Sequence, residues 1–340
     1  MTSAPESSDL VIEATGLVKK FGDFTALHGV DISVPTGTVT SILGPNGAGK
    51  TTTVRILTTL STPTEGHATV AGFDVMKHPQ EVRRRIGLAS QAATVDELLT
   101  GYENLVMIGE LHHIGNKVAR QRASELLDQF DLTDAKDRRS GTYSGGMRRR
   151  LDLAATLVAR PDILFLDEPT TGLDPRARSD LWEVLDGLVH SGTTILLTTQ
   201  YLEEAERLAD DIYVIDHGQV IAHGTPHELK RQTGGEQLQL VVRNVADLDR
   251  AAQIVTETVG EGGHSIDHSS RSIVVPTVDG VSALAVVAGR VRDEAIELDD
   301  LGIRQPTLDE VFLQLTGRTT EDDGDPNSDR SDSAQQGDRA

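Results

Sequence analysis

The sequence predicts an α/β fold, because short apolar segments rich in β-branched residues alternate with segments of helical periodicity along most of the chain. One apolar segment leads into a glycine-rich loop, and another ends in two adjacent acidic residues. At 340 residues the chain has room for two domains with ample cores. We therefore expect an α/β domain with functional groups at its strand ends, and a second domain after it.

The composition excludes several functional classes. Cysteine is absent, which rules out disulfides, thiol catalysis and cysteine-ligated zinc. The formal net charge of -21 argues against a nucleic-acid-binding surface, which needs clustered Lys and Arg. No segment reaches the roughly 20 apolar residues of a membrane-spanning helix, and residues 1–6 lack the pattern of a signal peptide. We expect the protein to remain in the cytoplasm.

The glycine-rich loop at residues 44–51 reads GPNGAGKT and fits the phosphate-binding pattern GxxxxGK[ST]. Residues 39–43 predict a buried strand before this phosphate-binding loop, and residues 51–59 a helix after it. Glycines let the loop fold around a phosphate chain and point successive N–H groups at it. Lys50 is expected to reach the β and γ phosphates, and the Thr51 hydroxyl to bind Mg²⁺. The predicted nucleotide-binding residues are Gly44, Pro45, Asn46, Gly47, Ala48, Gly49, Lys50, Thr51 and Thr52.

The chain before the loop contains two aromatic residues in a predicted turn at residues 21–24, which follows a predicted strand at residues 10–18. Aromatic residues are rare in this sequence, so a ring just before the loop is a candidate to stack on a nucleobase. Phe21 is that candidate, and an ordinary core position is the alternative. Residues 26–34 and 38–43 predict two further strands.

A helical insert interrupts the α/β pattern at about residues 92–150. It follows a predicted strand at residues 86–91, which ends in the amide side chain of Gln91. Between residues 95 and 133 apolar residues recur at a spacing of three to four, which is typical of helices.

The insert ends in the segment YSGGM at residues 143–147, before a strongly helical run at residues 148–159. Ser144, Gly145 and Gly146 lie where a helix N-cap is expected. The free N–H groups and the dipole at a helix start favour an anion. A simple capping turn remains the alternative for this tripeptide.

A second functional strand end follows at Asp167 and Glu168, after the apolar residues 163–166. Beside a phosphate-binding loop, Asp167 can hold the Mg²⁺ shell and Glu168 can polarise an attacking water. Two solvated acids at a strand exit are the structural alternative. Residues 178–190 predict a helix, and residues 194–199 a buried strand that ends at Gln200.

The order and spacing of these motifs resemble an ABC transporter ATP-binding subunit over residues 10–224. The resemblance rests on five features: the phosphate-binding loop, Gln91, the YSGGM segment, the LDE at residues 166–168 and the GLD at residues 172–174. Residues 198–205 and 308–313 further resemble the daunorubicin-resistance type of exporter ATPase. The resemblance implies a P-loop NTPase fold with a helical subdomain.

The resemblance also implies a role for each motif in binding and hydrolysing Mg-ATP. Lys50, Thr51 and Asp167 would bind Mg-ATP, Phe21 would stack on adenine, and Glu168 would be the general base. Gln91 would contact the metal, sense the γ phosphate and communicate with the membrane partner. Gln200 would take the catalytic position at the γ phosphate.

Partners follow from the resemblance as well. Ser144, Gly145 and Gly146 would contact ATP held by a second subunit, and Asp174 would bridge the dimer. We expect a homodimer on ATP binding, a separately encoded transmembrane permease, and a peripheral location on the cytoplasmic side of the membrane. No nucleic acid partner is expected.

Two positions depart from the family at large: Met147 replaces a glutamine, and Gln200 replaces a histidine. Glutamine can donate a hydrogen bond but cannot become cationic. A nucleotide-binding switch with little hydrolysis is therefore an alternative to an exporter motor, and an importer ATPase is another. A soluble ABC ATPase of translation or DNA repair is disfavoured, because the chain shows one cassette and no basic patch.

The remaining chain predicts a small accessory α/β domain at residues 225–317, with strands at residues 237–242, 273–275 and 296–298 alternating with helices. Stabilisation or dimerisation, and regulation or assembly with the permease, are both open roles for this domain. Residues 318–340 are acidic and almost free of apolar residues, which predicts a disordered tail.

Overall fold

The computed structural model describes residues 10–90, 94–232, 236–260 and 265–316. The chain divides into two compact units between His223 and Gly224. The strands of the first unit are β1 (Leu10–Phe21), β2 (Phe24–Pro35), β3 (Val39–Leu43), β4 (Glu65–Val70), β5 (Phe73–Asp74), β6 (Ile86–Ala89), β7 (Ile163–Asp167), β8 (Thr194–Thr199), β9 (Asp211–Asp216) and β10 (Gln219–Gly224). Its helices are α1 (Lys50–Leu57), α2 (Pro79–Arg85), α3 (Gly101–Leu111), α4 (Asn116–Gln129), α5 (Gly145–Thr156), α6 (Pro175–His190) and α7 (Leu202–Leu208).

The central sheet of the first unit has the strand order β10-β9-β3-β8-β7-β6. Strands β6, β7, β8, β3 and β9 pair in parallel. Every residue of β3, β7 and β8 is buried, which explains why these strands are continuous apolar or β-branched runs. The register pairs Leu43 with Thr199 and Asp167 with Thr198. It therefore brings the phosphate-binding loop, the acidic strand end and Gln200 to one edge.

A second sheet of the first unit is antiparallel, in the order β2-β1-β4-β5. Its β1–β2 hairpin turns at Gly22 and Asp23, so that Phe21 and Phe24 face each other across the turn. One buried cluster lies among this sheet, α1 and the central sheet, and includes Ile12, Ile42 and Phe165. This packing holds the hairpin end of the second sheet next to the phosphate-binding loop.

The helical insert contains α3, α4 and α5, which share a second buried cluster with α6 and the central sheet. The predicted helical character of this region is confirmed, with a break between Leu111 and Asn116. Helix α6 begins at Pro175, three residues earlier than predicted, because the Asp174 side chain caps it there, and α5 begins at Gly145, directly after the expected cap at Ser144. No element was predicted for residues 202–216, where the structure has α7 and β9.

The second unit contains α8 (Pro226–Gln232), β11 (Glu236–Val242), α9 (Leu248–Val259), β12 (Ser265–Asp267), β13 (Ser272–Thr277), α10 (Gly280–Asp293), β14 (Leu298–Arg304) and α11 (Leu308–Thr316). Its antiparallel sheet has the order β12-β13-β11-β14, and α9 and α10 contribute to its buried core. The predicted last strand at 296–298 was wrong in position, because the pairing with β11 runs from Leu298 to Arg304. The short β12 was not predicted.

Across the described ranges, no helix has the length and apolar character needed to cross a bilayer.

Candidate functional site

The phosphate-binding loop connects β3 to α1 and lines a cleft of about 390 Å³. Gly49 adopts a φ of 107°, and a Cβ atom there would lie 2.6 Å from the Leu27 side chain. Only glycine fits this close approach without displacing the hairpin. The lining residues are Phe21, Phe24, Ala26, Pro45, Asn46, Gly47, Ala48, Gly49, Lys50, Thr51, Thr52 and Glu168. Gly44 lies at the base of the loop, where its N–H donates to Thr199 O at 3.2 Å.

Lys50 is buried at the start of α1 and holds the loop closed. Its Nζ donates to Gly44 O at 2.7 Å and to Pro45 O at 3.0 Å, and lies 3.3 Å from Glu168 Oε1. Burial lowers the pKa of Lys50, while Glu168 and then Asp167 act to raise it. The ammonium therefore joins the phosphate-binding loop to Glu168.

Thr51 and Asp167 form a pair of oxygen ligands. Thr51 Oγ1 donates to Asp167 Oδ1 at 3.1 Å, and Thr198 Oγ1 donates to the same oxygen at 2.6 Å. A hydroxyl beside a carboxylate fits Mg²⁺, which is commonly held by one or two protein oxygens together with substrate phosphates. This donor set agrees with the finding that the described residues contain no cluster of three or more His, Cys, Asp or Glu suited to a metal.

Glu168 is held in a strained backbone conformation directly after β7, with a φ of 50°. Its N–H donates to both Thr198 O and Thr198 Oγ1 at 3.1 Å. Thr171 Oγ1 donates to the carboxylate at 3.3 Å. A left-handed conformation is uncommon for glutamate and is concentrated at functional sites. The geometry points the buried carboxylate into the cleft rather than into solvent, so the reading of Asp167 and Glu168 as two solvated acids is wrong.

Arg149, on α5, was not identified from the sequence. Its guanidinium donates to Pro169 O at 2.8 Å, to Ser90 O at 2.7 Å, and to Asp167 O and Glu168 O at 3.3 Å each. Burial lowers its pKa, and Asp152, at 3.5 Å, opposes this decrease. Arg149 thus ties the ends of β6 and β7 to the helical insert. Its three-arginine context at residues 148–150 carries no signal that distinguishes it from surface arginines.

Ser144 is the N-cap of α5, as predicted, and its Oγ accepts from Met147 N–H at 3.3 Å. Gly145 lines a separate cleft of about 290 Å³, which the phosphate-binding loop does not enter. The lining residues of this second cleft are Gly145, Arg148, Arg149, Asp152, Glu168, Thr171, Gly172 and Leu173. Gly146 lies against α6, where a Cβ atom would be 3.3 Å from Ala177 Cβ. One chain therefore does not place this helix start at its own phosphate-binding loop.

The family model described as ABC transporter matches residues 27–171. The daunorubicin resistance ATP-binding protein DrrA2 of Streptomyces coeruleorubidus is 54% identical over 310 residues, which is 91% of this chain and 96% of that protein. The chain belongs to the ABC transporter ATP-binding proteins, and within them to the daunorubicin-resistance type.

Two further similarities support this ABC ATPase assignment. The Nod factor export ATP-binding protein I of Sinorhizobium fredii is 37% identical, with 93% of this chain and 88% of that protein covered. The dimeric ATP-binding cassette MJ0796, solved with ADP and phosphate, has a TM-score of 0.58 and 26% identity, with 63% of this chain and 98% of that chain covered. This ABC ATPase therefore has the P-loop fold, binds nucleotide and hydrolyses ATP. It is the ATPase subunit of an exporter.

The hairpin aromatics of the ABC ATPase reach the phosphate-binding cleft. Phe21 is 54% exposed and Phe24 is 65% exposed, so the reading of Phe21 as a core aromatic is wrong. Lys19 Nζ lies 5.0 Å from the centre of the Phe21 ring. Sequence reasoning missed Phe24, although it lies in the same short turn.

Two further predicted site residues lie next to the ends of described elements. Gln200 follows β8 directly and is half-buried. Asp174 is exposed as the N-cap of α6, and its Oδ1 accepts from Ala177 N–H at 2.8 Å. Gln91 lies outside the described residues, so its predicted roles remain predictions.

Proposed function

We propose that this ABC ATPase powers the export of a drug, antibiotic or lipid through a separately encoded membrane permease. The observation that carries the hydrolytic part is a pair of direct contacts, Lys50 with Glu168 and Thr51 with Asp167, at the cleft that Lys50, Thr51 and Glu168 line. The export part rests on the similarity to a protein named for daunorubicin resistance and to another named for Nod factor export.

The chemistry that we assign to the cleft is in-line hydrolysis of ATP. Lys50 exchanges its carbonyl and Glu168 partners for phosphate oxygens, and Thr51 and Asp167 hold Mg²⁺, which supplies charge neutralisation when bound. Release from Lys50 leaves the Glu168 carboxylate available to accept a proton from the attacking water. Gln200 donates a hydrogen bond at the γ phosphate.

We assign nucleobase binding to the β1–β2 hairpin. We assign stacking on adenine to Phe21, since its ring is exposed beside the loop. Phe24 is the second aromatic surface of the same cleft. Stacking tolerates different bases, so this contact contributes affinity more than selectivity.

We assign the working form to two copies in twofold contact around two ATP molecules. Ser144, Gly145 and Gly146 at the start of α5 supply an anion-binding helix terminus that one copy does not direct at its own loop. Asp174 is exposed at the neighbouring helix start and is assigned to the dimer contact. The similar cassette MJ0796 is described as dimeric with ADP and phosphate bound.

We place the permease contact at an apolar groove of about 260 Å³ in the first unit. Leu60, Ile86, Leu88 and Ile108 line it, next to the strand that leads to Gln91. A cytoplasmic helix of the permease would fit such a groove by burying its apolar face. The resulting location is peripheral, on the cytoplasmic side of the membrane.

We assign residues 10–224 to the ATP-binding domain, with the helical subdomain at about 92–150, and residues 225–317 to an accessory domain. The predicted acidic tail at residues 318–340 lies outside the described residues. We assign the accessory domain either to stabilisation or dimerisation of the subunit, or to regulation or assembly with the permease.

The deciding experiment measures Mg-dependent ATP hydrolysis by the purified chain, with and without its candidate permease, for wild type and Gln200→His. Stimulation of wild-type turnover by the permease supports the export motor. The alternative, a nucleotide switch, is favoured only by Gln200, and requires that wild type binds ATP without hydrolysis while Gln200→His hydrolyses it. An extracytoplasmic binding protein encoded beside the permease would instead indicate an importer.

A further inference from the structure

Glu204, on α7, is a fully buried acid that the hydrolytic site described above does not use. Burial raises the pKa of its carboxyl group, while the Thr199 and Thr170 hydroxyls and the Trp182 indole N–H oppose the increase. Within the described ranges, both Glu204 oxygens, the Thr170 hydroxyl and the Trp182 indole nitrogen lack a partner at full hydrogen-bonding geometry. Buried polar groups of this kind are rare in native proteins, and each requires a reason.

The groups around Glu204 come from three functional segments. Thr170 lies in the segment that connects Glu168 to Asp174, and Trp182 lies on the helix that Asp174 caps. Thr199 is the last residue of β8, directly before Gln200, and its carbonyl accepts the Gly44 N–H. The Glu204 carboxyl group is thus close to the segment between Glu168 and Asp174, to helix α6 and to the end of β8 before Gln200.

Surface contacts hold the same elements together. The Arg178 guanidinium, on α6, lies 5.3 Å from the Tyr201 ring centre and 3.9 Å from Glu203. Arg178 also acts on Glu204 electrostatically. Exposed ion pairs contribute little to a fixed geometry, whereas a fully buried carboxyl group is costly to leave without nearby donors, so it favours the arrangement that keeps the surrounding hydroxyl and indole groups next to it.

We propose that Glu204 is a positioning residue that fixes the segment from Glu168 to Asp174 against the strand end at Thr199 and Gln200. Glu204 does not contact the nucleotide. It acts through Gln200 and through the segment that carries Glu168, and orients both toward the γ phosphate. This inference rests on the proposed role of Gln200 at the γ phosphate.

The test is a double-mutant cycle between Glu204→Ala and Gln200→Ala in the full chain, read as kcat and KM for Mg-ATP and as affinity for a fluorescent ATP analogue. Glu204→Ala should lower kcat by about 10-fold, with ATP affinity within about 2-fold of wild type. In the Gln200→Ala background the same change should lower kcat by less than about 2-fold, because residues that act as a unit are not additive. Glu206→Gln, an exposed site on the same helix, is the control and should leave kcat unchanged.

Other outcomes separate the inference from the proposed function. If Gln200→Ala lowers kcat and Glu204→Ala lowers it by the same factor in both backgrounds, Glu204 is only structural and the inference is overturned. If Gln200→Ala hydrolyses ATP like wild type, the proposed role of Gln200 fails, and the inference fails with it. If Glu204→Ala does not fold, Trp182→Phe takes its place in the cycle, since it removes one donor and keeps an aromatic ring. Trp182→Phe should lower kcat by about 3-fold in the wild-type background and leave kcat unchanged in the Gln200→Ala background.

Discussion

Lys50 Nζ lies 3.3 Å from Glu168 Oε1, and both side chains are buried. This ion pair joins the start of α1, which follows the phosphate-binding loop, to the end of β7, which leads into Glu168. The pair holds the Glu168 carboxylate inside the cleft that the phosphate-binding loop lines. It also compensates part of the desolvation of Lys50.

Glu168→Gln should lower kcat by about 10² to 10⁴, because the amide keeps the shape of the side chain but cannot accept a proton. ATP binding should persist, since the phosphate-binding loop is unchanged, and an ATP-bound dimer should accumulate. Steady-state hydrolysis, a nucleotide-binding assay and size-exclusion chromatography with ATP measure the three effects. Glu168→Asp is the matched variant that retains the charge and withdraws the carboxylate. Turnover by Glu168→Gln within about 3-fold of wild type would exclude Glu168 as the base.

Thr198→Val should raise the Mg²⁺ concentration at which hydrolysis is half-maximal. The hydroxyl donates to Asp167 Oδ1 at 2.6 Å and accepts the Glu168 N–H, so its loss removes one of two hydrogen bonds at each of these buried groups. The free energy of unfolding should fall by about 1–3 kcal/mol. Urea unfolding and Mg²⁺ titration of activity measure the two effects.

A matched control for Thr198→Val lies on the adjacent strand, two residues before Ile42, which is the register partner of Thr198. Thr40, on β3, is also fully buried, and among the described residues its hydroxyl has no hydrogen-bond partner. Thr40→Val should therefore leave stability and Mg²⁺ dependence unchanged, because no hydrogen bond is lost. Equal losses in the two variants would show that β-sheet packing, not the Asp167 contact, causes the effect.

Arg149→Lys should lower kcat by about 10-fold or more, because an ammonium cannot reproduce the fork that binds several carbonyl oxygens. The guanidinium contacts the carbonyls of Ser90, Asp167 and Glu168, so its loss frees the strand ends that place the base. Arg150→Lys is the control on the same helix, since Arg150 contacts Phe130 O and Asp131 away from the cleft. Comparable activity of both variants would remove Arg149 from the site.

The sequence predicted the parts of the site that are contiguous along the chain. The loop at residues 44–51 and the strand end at Asp167 each carry their own strand and turn signals, and parallel strands bring such ends together. Arg149 and Thr198 escaped prediction for a physical reason. Arg149 contacts carbonyl oxygens up to 59 positions away in the chain, and Thr198 reads as one more β-branched residue of a buried strand. Only the folded sheet register shows their roles.

Phe21→Ala should weaken ATP binding by about 1–3 kcal/mol if its ring carries the base, as aromatic stacking contacts do elsewhere. Phe24→Ala is the matched comparison, because Phe24 faces Phe21 across the same turn and lines the same cleft. We expect the smaller loss for Phe24→Ala. Calorimetric titration with ATP and with inorganic triphosphate separates base from phosphate contacts. A loss of triphosphate affinity in Phe21→Ala would contradict stacking as the cause.

The pKa of Glu204 predicts a pH dependence of stability. Its folded pKa is raised from 4.5 mainly by burial, so its stabilising contribution is present below pH 4.5 and is lost as the pH rises through the folded pKa. The sign follows from proton uptake: above pH 4.5 the folded state binds more protons at this site than the unfolded state does, and raising the pH then lowers the free energy of unfolding. Arg178 and Arg149 are the charged groups that act on this carboxyl.

Trp182 makes this titration directly measurable, because it is the only tryptophan in the sequence and its indole N–H is one of the groups that act on Glu204. Wild type should show a change in Trp182 fluorescence above pH 4.5, together with a fall in unfolding free energy, and Glu204→Gln should lack both because its amide does not titrate. Glu206→Gln should titrate like wild type, since Glu206 is exposed on the same helix. A transition that survives unchanged in Glu204→Gln would assign the pH dependence to another group.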